Sequence, residues 1–155
     1  MLKLITLSAV IFSAQAFASS IIPYIGPVLI RSTHSGFVAP GFNTYTKCEI
    51  YNNVMFPSKI VLTNGAGNIE SEISKEIKIT GDLAKTIADS QKGPYTKEMA
   101  PVDLPGVTYL ARKANPNGSY EEIILFSDNG GDGRKITNRS TEATSLRNFI
   151  DLNCK

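Results

Sequence analysis

Two cysteines, Cys48 and Cys154, constrain the fold of this chain more than any other feature of its 155 residues. In an oxidising compartment, an even number of cysteines is typical of a disulfide framework. A bridge between these two would close most of the chain into one loop and stabilise the fold by about 4–5 kcal/mol on the chain-entropy description. The alternative is a pair of free thiols, one of them reactive. We predict the bridge, provided that the chain is exported.

The N-terminal segment 1–18 indicates export. Lys3 supplies a positive charge, residues 4–12 are almost entirely apolar, and residues 16–18 read Ala-Phe-Ala, which is a small-x-small cleavage pattern. The apolar run is shorter than the roughly 20 residues that span a bilayer. We therefore predict that segment 1–18 is a signal peptide of bacterial type and that the protein is periplasmic or secreted.

The rest of the chain divides into two parts by composition. Segment 19–43 is interrupted by prolines and glycines, which break helices and limit strands to short pieces. It is predicted to be an extended N-terminal arm, in which 28–30 is suited to one short strand. Segment 44–155 is predicted to form a single α+β domain, because its length is sufficient for one hydrophobic core.

The strand predictions rest on the alternation of apolar and polar residues. Thr46, Cys48 and Ile50 alternate with more polar neighbours, which predicts a strand over Thr44–Tyr51 with Cys48 on its buried side. The residues at 64–68 are predicted to form a loop. Further strands are predicted over 58–63, 76–80, 107–113 and 119–127, the last two joined as a hairpin by a turn at 115–118.

Helical periodicity predicts two helices. One covers 81–90, and the other covers 140–153, where Ser140 is suited to cap the first turn. The apolar stripe of the second helix passes through Leu146 and reaches Cys154, so both cysteines are expected to face the core. The predicted fold is α+β: an antiparallel sheet of four or five strands, two helices packed on one face, and one disulfide.

The charge of the chain argues against one class of partner. The sequence has 16 basic and 14 acidic residues, a formal net charge of +2. Such a balance lacks the electrostatic footprint of a protein that binds nucleic acid or anionic lipid. No segment after the signal peptide is long and apolar enough to cross a membrane. We therefore expect no nucleic-acid partner and no membrane span.

The stretch at 127–135, SDNGGDGRK, has the composition of a calcium loop without its pattern. Counted from Asp128, an EF-hand loop needs oxygen ligands at its third and twelfth positions, which here are Gly130 and Arg139. The stretch also lacks the Gly-Lys-Ser/Thr of a phosphate-binding loop. We predict a wide turn in which the glycines supply positive φ. A weak calcium site at Asp128 and Asp132 is the alternative.

The sequence contains no recognisable set of catalytic residues. His34 is the single histidine, and its neighbouring serines lie in an extended segment, so we interpret it as a surface imidazole. One histidine and two bridged cysteines do not supply a normal zinc site. Glu121 and Glu122 are adjacent in a predicted strand, so they point to opposite faces and cannot act as a glycosidase pair. The prediction is no catalytic residue, no metal and no cofactor.

Segment 93–106 is the candidate binding surface. It is a long connection without predicted structure of its own, and such loops tend to be functional or disordered. Tyr95, Met99 and Leu104 make it more apolar than a disordered linker. We predict that these three side chains form a binding surface on a disulfide-pinned frame. The alternative is a plain connection packed over a sheet edge.

Together these features favour an exported, non-enzymatic binding or inhibitor-like protein of the bacterial envelope. Its partner would be an unknown protein or envelope component. One alternative function is a small secreted hydrolase that uses carboxylates, assisted by calcium at Asp128 and Asp132. Another is a structural protein of the envelope. A fold of this class does not distinguish the three.

Overall fold

A computed structural model describes residues 23–36, 38–39, 42–53, 56–129 and 133–155. Within these residues the chain forms one sheet of eight antiparallel strands and two helices. The predicted signal peptide, 1–18, lies outside the described residues. In chain order the elements are β1 (Leu29–His34), β2 (Thr44–Tyr51), β3 (Lys59–Ala66), β4 (Ile69–Glu76), α1 (Leu83–Ser90), β5 (Tyr95–Met99), β6 (Gly106–Ala114), β7 (Tyr120–Asn129), β8 (Arg134–Asn138) and α2 (Thr141–Asn153).

The N-terminal strand occupies the middle of the sheet. The strand order is β4-β3-β2-β1-β6-β7-β8-β5, and β1 pairs with β2 on one side and β6 on the other. The strands from β2 to β4 form one meander, and the strands from β5 to β8 form the other half of the sheet. The two halves are therefore joined through β1, and β4 and β5 are the edge strands.

Both helices pack on the same side of the sheet, which we call the helix face. Every second residue of the central strands points to this side, as expected for a pleated strand with one buried face. The opposite side, to which Ile30, Glu49 and Val61 point, is called the open face. The core residues of the helix face and the helices are Leu29, Cys48, Ile50, Ile60, Ile87, Ala111, Ile123, Leu125, Ala143, Leu146, Ile150 and Cys154.

The predicted disulfide between Cys48 and Cys154 is confirmed. The two Cα atoms are 5.9 Å apart, both residues are buried, and neither cysteine is free. The strand parity of Cys48 and the helix periodicity that ends at Cys154 bring the two thiols together beneath the end of α2. The bridge therefore fastens the C-terminal helix to β2, across a sequence separation of 106 residues.

A buried asparagine connects the ends of both helices to the sheet. Asn138, the last residue of β8, is fully buried. Its side-chain amide donates to the backbone carbonyl of Ser90 at 2.7 Å, and its side-chain oxygen accepts from the backbone N–H of Ser140 at 3.0 Å. The Ser140 hydroxyl oxygen in turn accepts from the Ala143 N–H at 3.0 Å, which is the predicted N-cap of α2. These bonds satisfy backbone groups that burial would otherwise leave unpaired.

The predicted sheet of four or five strands is wrong, because the described residues contain eight. The strand predicted over Thr44–Tyr51 and the hairpin of β6 and β7 are confirmed. β5 lies in the segment that was expected to be a connection, β8 begins inside the predicted turn at 127–135, and β4 lies before the strand that was predicted over 76–80. Segment 19–43, which was expected to be an arm, contributes the central strand β1. Prolines flank β1 without entering it, so its backbone donors remain for pairing on both sides.

The meander of β2, β3 and β4 differs from the prediction in its last two strands. The strand expected over 76–80 is wrong: β4 covers Ile69–Glu76 and stops where that strand was to begin. The loop expected at 64–68 is also wrong, because Asn64 and the two residues after it belong to β3. The turn is made by two residues alone, and Gly67 adopts a φ of 60° that suits glycine. A tight turn of this kind allows both strands to continue to full length.

Candidate binding surface

Segment 93–106 contains an edge strand and a short connection. Residues Tyr95–Met99 form β5, which pairs with β8 in five consecutive registers. At one end the Arg139 N–H donates to the Pro94 carbonyl at 2.8 Å, and at the other the Ala100 N–H donates to the Gly133 carbonyl at 2.8 Å. The first half of the segment is therefore held rigidly at the edge of the sheet by backbone hydrogen bonds. This differs from the sequence-based expectation, which was a loop.

The three predicted binding residues are all accessible. The exposed fraction is 42% for Tyr95, 95% for Met99 and 51% for Leu104. Tyr95 and Met99 have the same strand parity, so they lie on one side of β5, and Thr96 points to the other side. Thr96 pairs with Thr137, which pairs with Phe126, and Phe126 faces Arg147 of α2. Thr96 therefore points to the helix face, and Tyr95 and Met99 point to the open face. Leu104 follows in the connection to β6.

The connection after β5 contributes a further apolar group that sequence reasoning did not select. Val102 is exposed, and it lies between Met99 and Leu104 in the chain. The backbone of Leu104 approaches Gly36 so closely that a side chain at Gly36 would collide with it. Gly36 has a φ of 78°, which also favours glycine. The connection is thus seated against the end of β1, with its apolar side chains directed outward.

Asp128 and Asp132 cannot be assigned as a metal pair. Asp128 is half-buried on β7, directly opposite Lys135 of β8. Asp132 lies outside the described residues, as do the two residues before it, and the predicted turn is narrower than expected because β7 continues to Asn129 and β8 begins at Arg134. Within the described ranges, no group of three or more histidine, cysteine, aspartate or glutamate side chains is arranged to hold a metal ion.

The remaining titratable candidates do not converge. His34 is exposed at the end of β1, where its Nδ1 accepts from the Gly36 N–H at 3.3 Å. Glu121 forms an ion pair with Lys113 at 3.5 Å, and Glu122 pairs with Arg112 at 3.4 Å. The two glutamates point to opposite faces of β7, as predicted. Because each carboxylate forms an ion pair with a basic residue, we interpret both glutamates as part of the charged surface of the sheet.

A second accessible region, at β4, was missed by sequence reasoning. All eight residues of β4 are exposed, and Glu70, Glu72 and Glu76 lie on the open face. Burial raises the pKa of the neighbouring Tyr51, and the carboxylates of Glu49 and Glu72 raise it further. The glutamates recur with a period of two, which is a strand signal that the sequence already contained.

Among the described residues, neither α1 nor α2 is long and apolar enough to cross a bilayer. Comparison of the chain with protein-family models, curated proteins and solved structures finds no match. The inference of function therefore rests on the surfaces described above.

Proposed function

We propose that the protein is an exported, non-enzymatic binding protein of the bacterial envelope, and that Tyr95, Met99 and Leu104 belong to its contact surface. The signal-like composition of segment 1–18 supports export. The disulfide is compatible with it, because such bridges persist in oxidising compartments. The partner is a protein or another component of the envelope.

The observation that carries this proposal is the exposure of Met99 at 95% on a strand that is hydrogen-bonded at both ends. Burial of one large apolar side chain contributes about 1.5–3 kcal/mol to association. A side chain presented from a fixed strand loses less conformational freedom on binding than one in a mobile loop. Tyr95 adds an amphipathic aromatic group, a residue type that is enriched among binding hot spots. The surface thus combines apolar anchors with a rigid support.

The rim of this surface carries charges of both signs. Lys97 lies between Tyr95 and Met99 on the open face, and Glu98 points to the other side, where Arg139 approaches it at 3.7 Å. An apolar centre with a mixed polar rim resembles the anatomy of a protein–protein interface. We therefore favour a protein partner over a lipid or a polysaccharide.

Site-specific photo-crosslinking tests the proposal. A photoreactive amino acid replaces Met99, and in a matched control it replaces the exposed Leu152 of α2. After irradiation in the envelope fraction of the source organism, position 99 should give a discrete adduct and position 152 should not. Combining the probe at 99 with Tyr95→Ser and Leu104→Ser should remove the adduct, while the melting temperature stays unchanged. No adduct at 99, or equal adducts at both positions, would refute the proposal.

A further inference from the structure

We propose that the outer edge of β4 binds an extended peptide in which basic and apolar residues alternate, by adding it to the sheet as a ninth strand. This site is separate from the surface at β5, and it does not depend on the function proposed above. The unpaired main chain of β4 provides the hydrogen bonds to the added peptide, and the side chains of β4 determine which peptide sequence is bound.

The direction of the β4 hydrogen bonds follows from its pairing with β3. The Ile77 N–H donates to the Ser58 carbonyl at 2.9 Å, immediately after the strand, so odd-numbered residues direct their backbone groups towards β3. Even-numbered residues therefore direct their N–H and C=O groups outward. Among the described residues, no strand pairs with this outer edge. The outward groups belong to Glu70, Glu72, Ser74 and Glu76.

The edge lacks most of the devices that protect natural sheet edges. Eight consecutive residue pairs join β3 and β4 without a bulge, and β4 contains no proline. Such an edge is a template for strand addition, in which main-chain hydrogen bonds give affinity and alternate side chains give specificity. The remaining protection of this edge is the negative charge of its glutamates, and this charge disfavours an acidic strand and favours a basic one.

A second copy of this chain is a poor occupant. In a two-fold antiparallel dimer, every register that overlaps five or more residues of β4 places one glutamate directly opposite another. Examples are Glu72 opposite Glu72, and Glu70 opposite Glu76. Like charges directly opposite one another destabilise a strand pair. The edge is therefore protected against self-association and remains open to a strand of opposite charge.

The side chains of β4 define the occupant on both faces. On the open face, Glu70, Glu72 and Glu76 form no ion pair among the described residues, so each favours a lysine or arginine directly opposite. On the helix face, Ile69 and Ile73 are 77% and 61% exposed, so each favours an apolar residue. The occupant is thus an amphipathic strand with one basic and one apolar face.

A cavity next to the edge fits one larger side chain. It has a volume of about 460 Å³, and Ser74 and Glu76 form the β4 side of it. The floor is apolar and aromatic, and the Lys59 ammonium lies 5.1 Å from the centre of the Tyr51 ring. A residue opposite Ser74 points to the same face as this cavity, so an aromatic side chain is favoured there. The other lining residues are Ile25, Asn53, Phe56 and Pro57.

The probe that follows from this arrangement is a capped peptide, Lys-Thr-Phe-Ile-Lys-Thr-Lys-Val, for antiparallel addition. Its first residue lies opposite Glu76, its phenylalanine opposite Ser74 and its last residue opposite Ile69. The control peptide has the same composition, with lysines moved to both strand parities. Fluorescence anisotropy of the labelled peptides measures affinity, and backbone amide shifts identify the edge that is occupied.

We expect the designed peptide to bind more tightly than the control and to lose affinity when sodium chloride is raised from about 20 to 200 mM. Glu70→Gln with Glu72→Gln and Glu76→Gln should weaken binding about tenfold, since three opposite-charge pairs are lost. Glu142→Gln is the matched control on α2 and should have no effect.

The variant Ser74→Pro tests the main-chain contribution. It removes an outward N–H and leaves the β3 ladder intact, so the protein should fold with an unchanged melting temperature and lose the peptide. Replacement of Tyr95, Met99 and Leu104 by serine should leave peptide binding unchanged, which separates this proposal from the proposed function. Equal affinity for both peptides, retention of binding by Ser74→Pro, or amide shifts confined to β5 would overturn it.

Discussion

Reduction of the Cys48–Cys154 bridge should remove a large part of the free energy of unfolding. The bridge closes a loop with a sequence separation of 106 residues. The loss of loop-closure entropy in the unfolded chain corresponds to about 4.7 kcal/mol at this loop length. The free energy of unfolding of an ordinary domain is about 5–15 kcal/mol, so the reduced protein should be only marginally stable.

Urea unfolding of the oxidised and reduced protein measures this difference. Far-UV circular dichroism follows the sheet and helices, and tyrosine fluorescence provides a second probe, since the chain contains six tyrosines and no tryptophan. The slope of free energy against urea should increase on reduction, because the unfolded chain without the bridge exposes more surface. Coincidence of the two probes would justify a two-state treatment.

The control is the double variant Cys48→Ala and Cys154→Ala. It should resemble the reduced protein in slope, and the reductant should not change it further. A loss of less than about 1 kcal/mol on reduction, with an unchanged slope, would refute the view that the bridge acts by restricting the unfolded chain. A large loss with an unchanged slope would assign the effect to packing in the folded state.

Three further outcomes are expected. Hydrogen bonds from Lys92 and Lys85 lower the pKa of Asp89 from 3.8 to about 2, so the stability from these pairs is complete above pH 3.8 and lost as pH falls towards 2. An NMR titration should place the midpoint near 2, and Lys85→Ala with Lys92→Ala should restore an ordinary value; no change on substitution would contradict this. Asn138→Ala should lower the free energy of unfolding by about 1–3 kcal/mol in urea, because it removes the partner of the buried Ser140 N–H and leaves the Ser90 carbonyl with only the bond from the Gly93 N–H at 3.4 Å; a loss below about 0.5 kcal/mol would contradict it. Calcium at about 10 mM should leave the melting temperature unchanged, whereas a site of millimolar affinity would add about 1.4 kcal/mol and raise it by several degrees.

The local periodicity of apolar residues was sufficient to predict the elements that bury one face in the core. In β2, Cys48 and Ile50 are buried and alternate with half-buried residues, so the second half of this strand follows the sequence pattern, whereas Thr46 is exposed. In α2, Leu146 and Ile150 repeat at helical spacing and are both buried. The disulfide was predictable for the same reason, because its two residues lie on these two faces.

The edge strands could not be found by the same reasoning. In β4, Ile69 and Ile73 are four residues apart, which resembles helical spacing, but both are exposed and form no buried helical stripe. This spacing made the strand pattern of the alternating glutamates harder to recognise. In β5, the side chains are mostly exposed and the strand is defined by its backbone pairing with β8, about 40 residues later in the chain. Pairing between distant segments leaves no local trace in composition or periodicity.

The two candidate surfaces differ in the same way: the one at β5 and the connection after it could be predicted from the sequence, and the one at β4 could not. Tyr95, Met99 and Leu104 were selected because they are apolar in a segment without an apparent core role, and composition alone was enough for this. The acidic edge of β4 was missed, because its significance depends on the absence of a neighbouring strand along the described sheet. Strand order is a property of the whole fold and cannot be read from eight residues.

The central position of β1 dictates when the molecule can be completed. A nascent chain emerges N-terminus first, so β1 is available early, and β2, β3 and β4 can join it in sequence. Its other neighbour, β6, begins only at Gly106, and the thiol that must meet Cys48 lies 106 residues further along, at Cys154. Until β6 and Cys154 have been synthesised, one side of β1 therefore lacks its hydrogen-bonding partner and the Cys48 thiol lacks its disulfide partner. A chaperone or thiol oxidoreductase acting on this protein would encounter that unfinished half-sheet as its substrate.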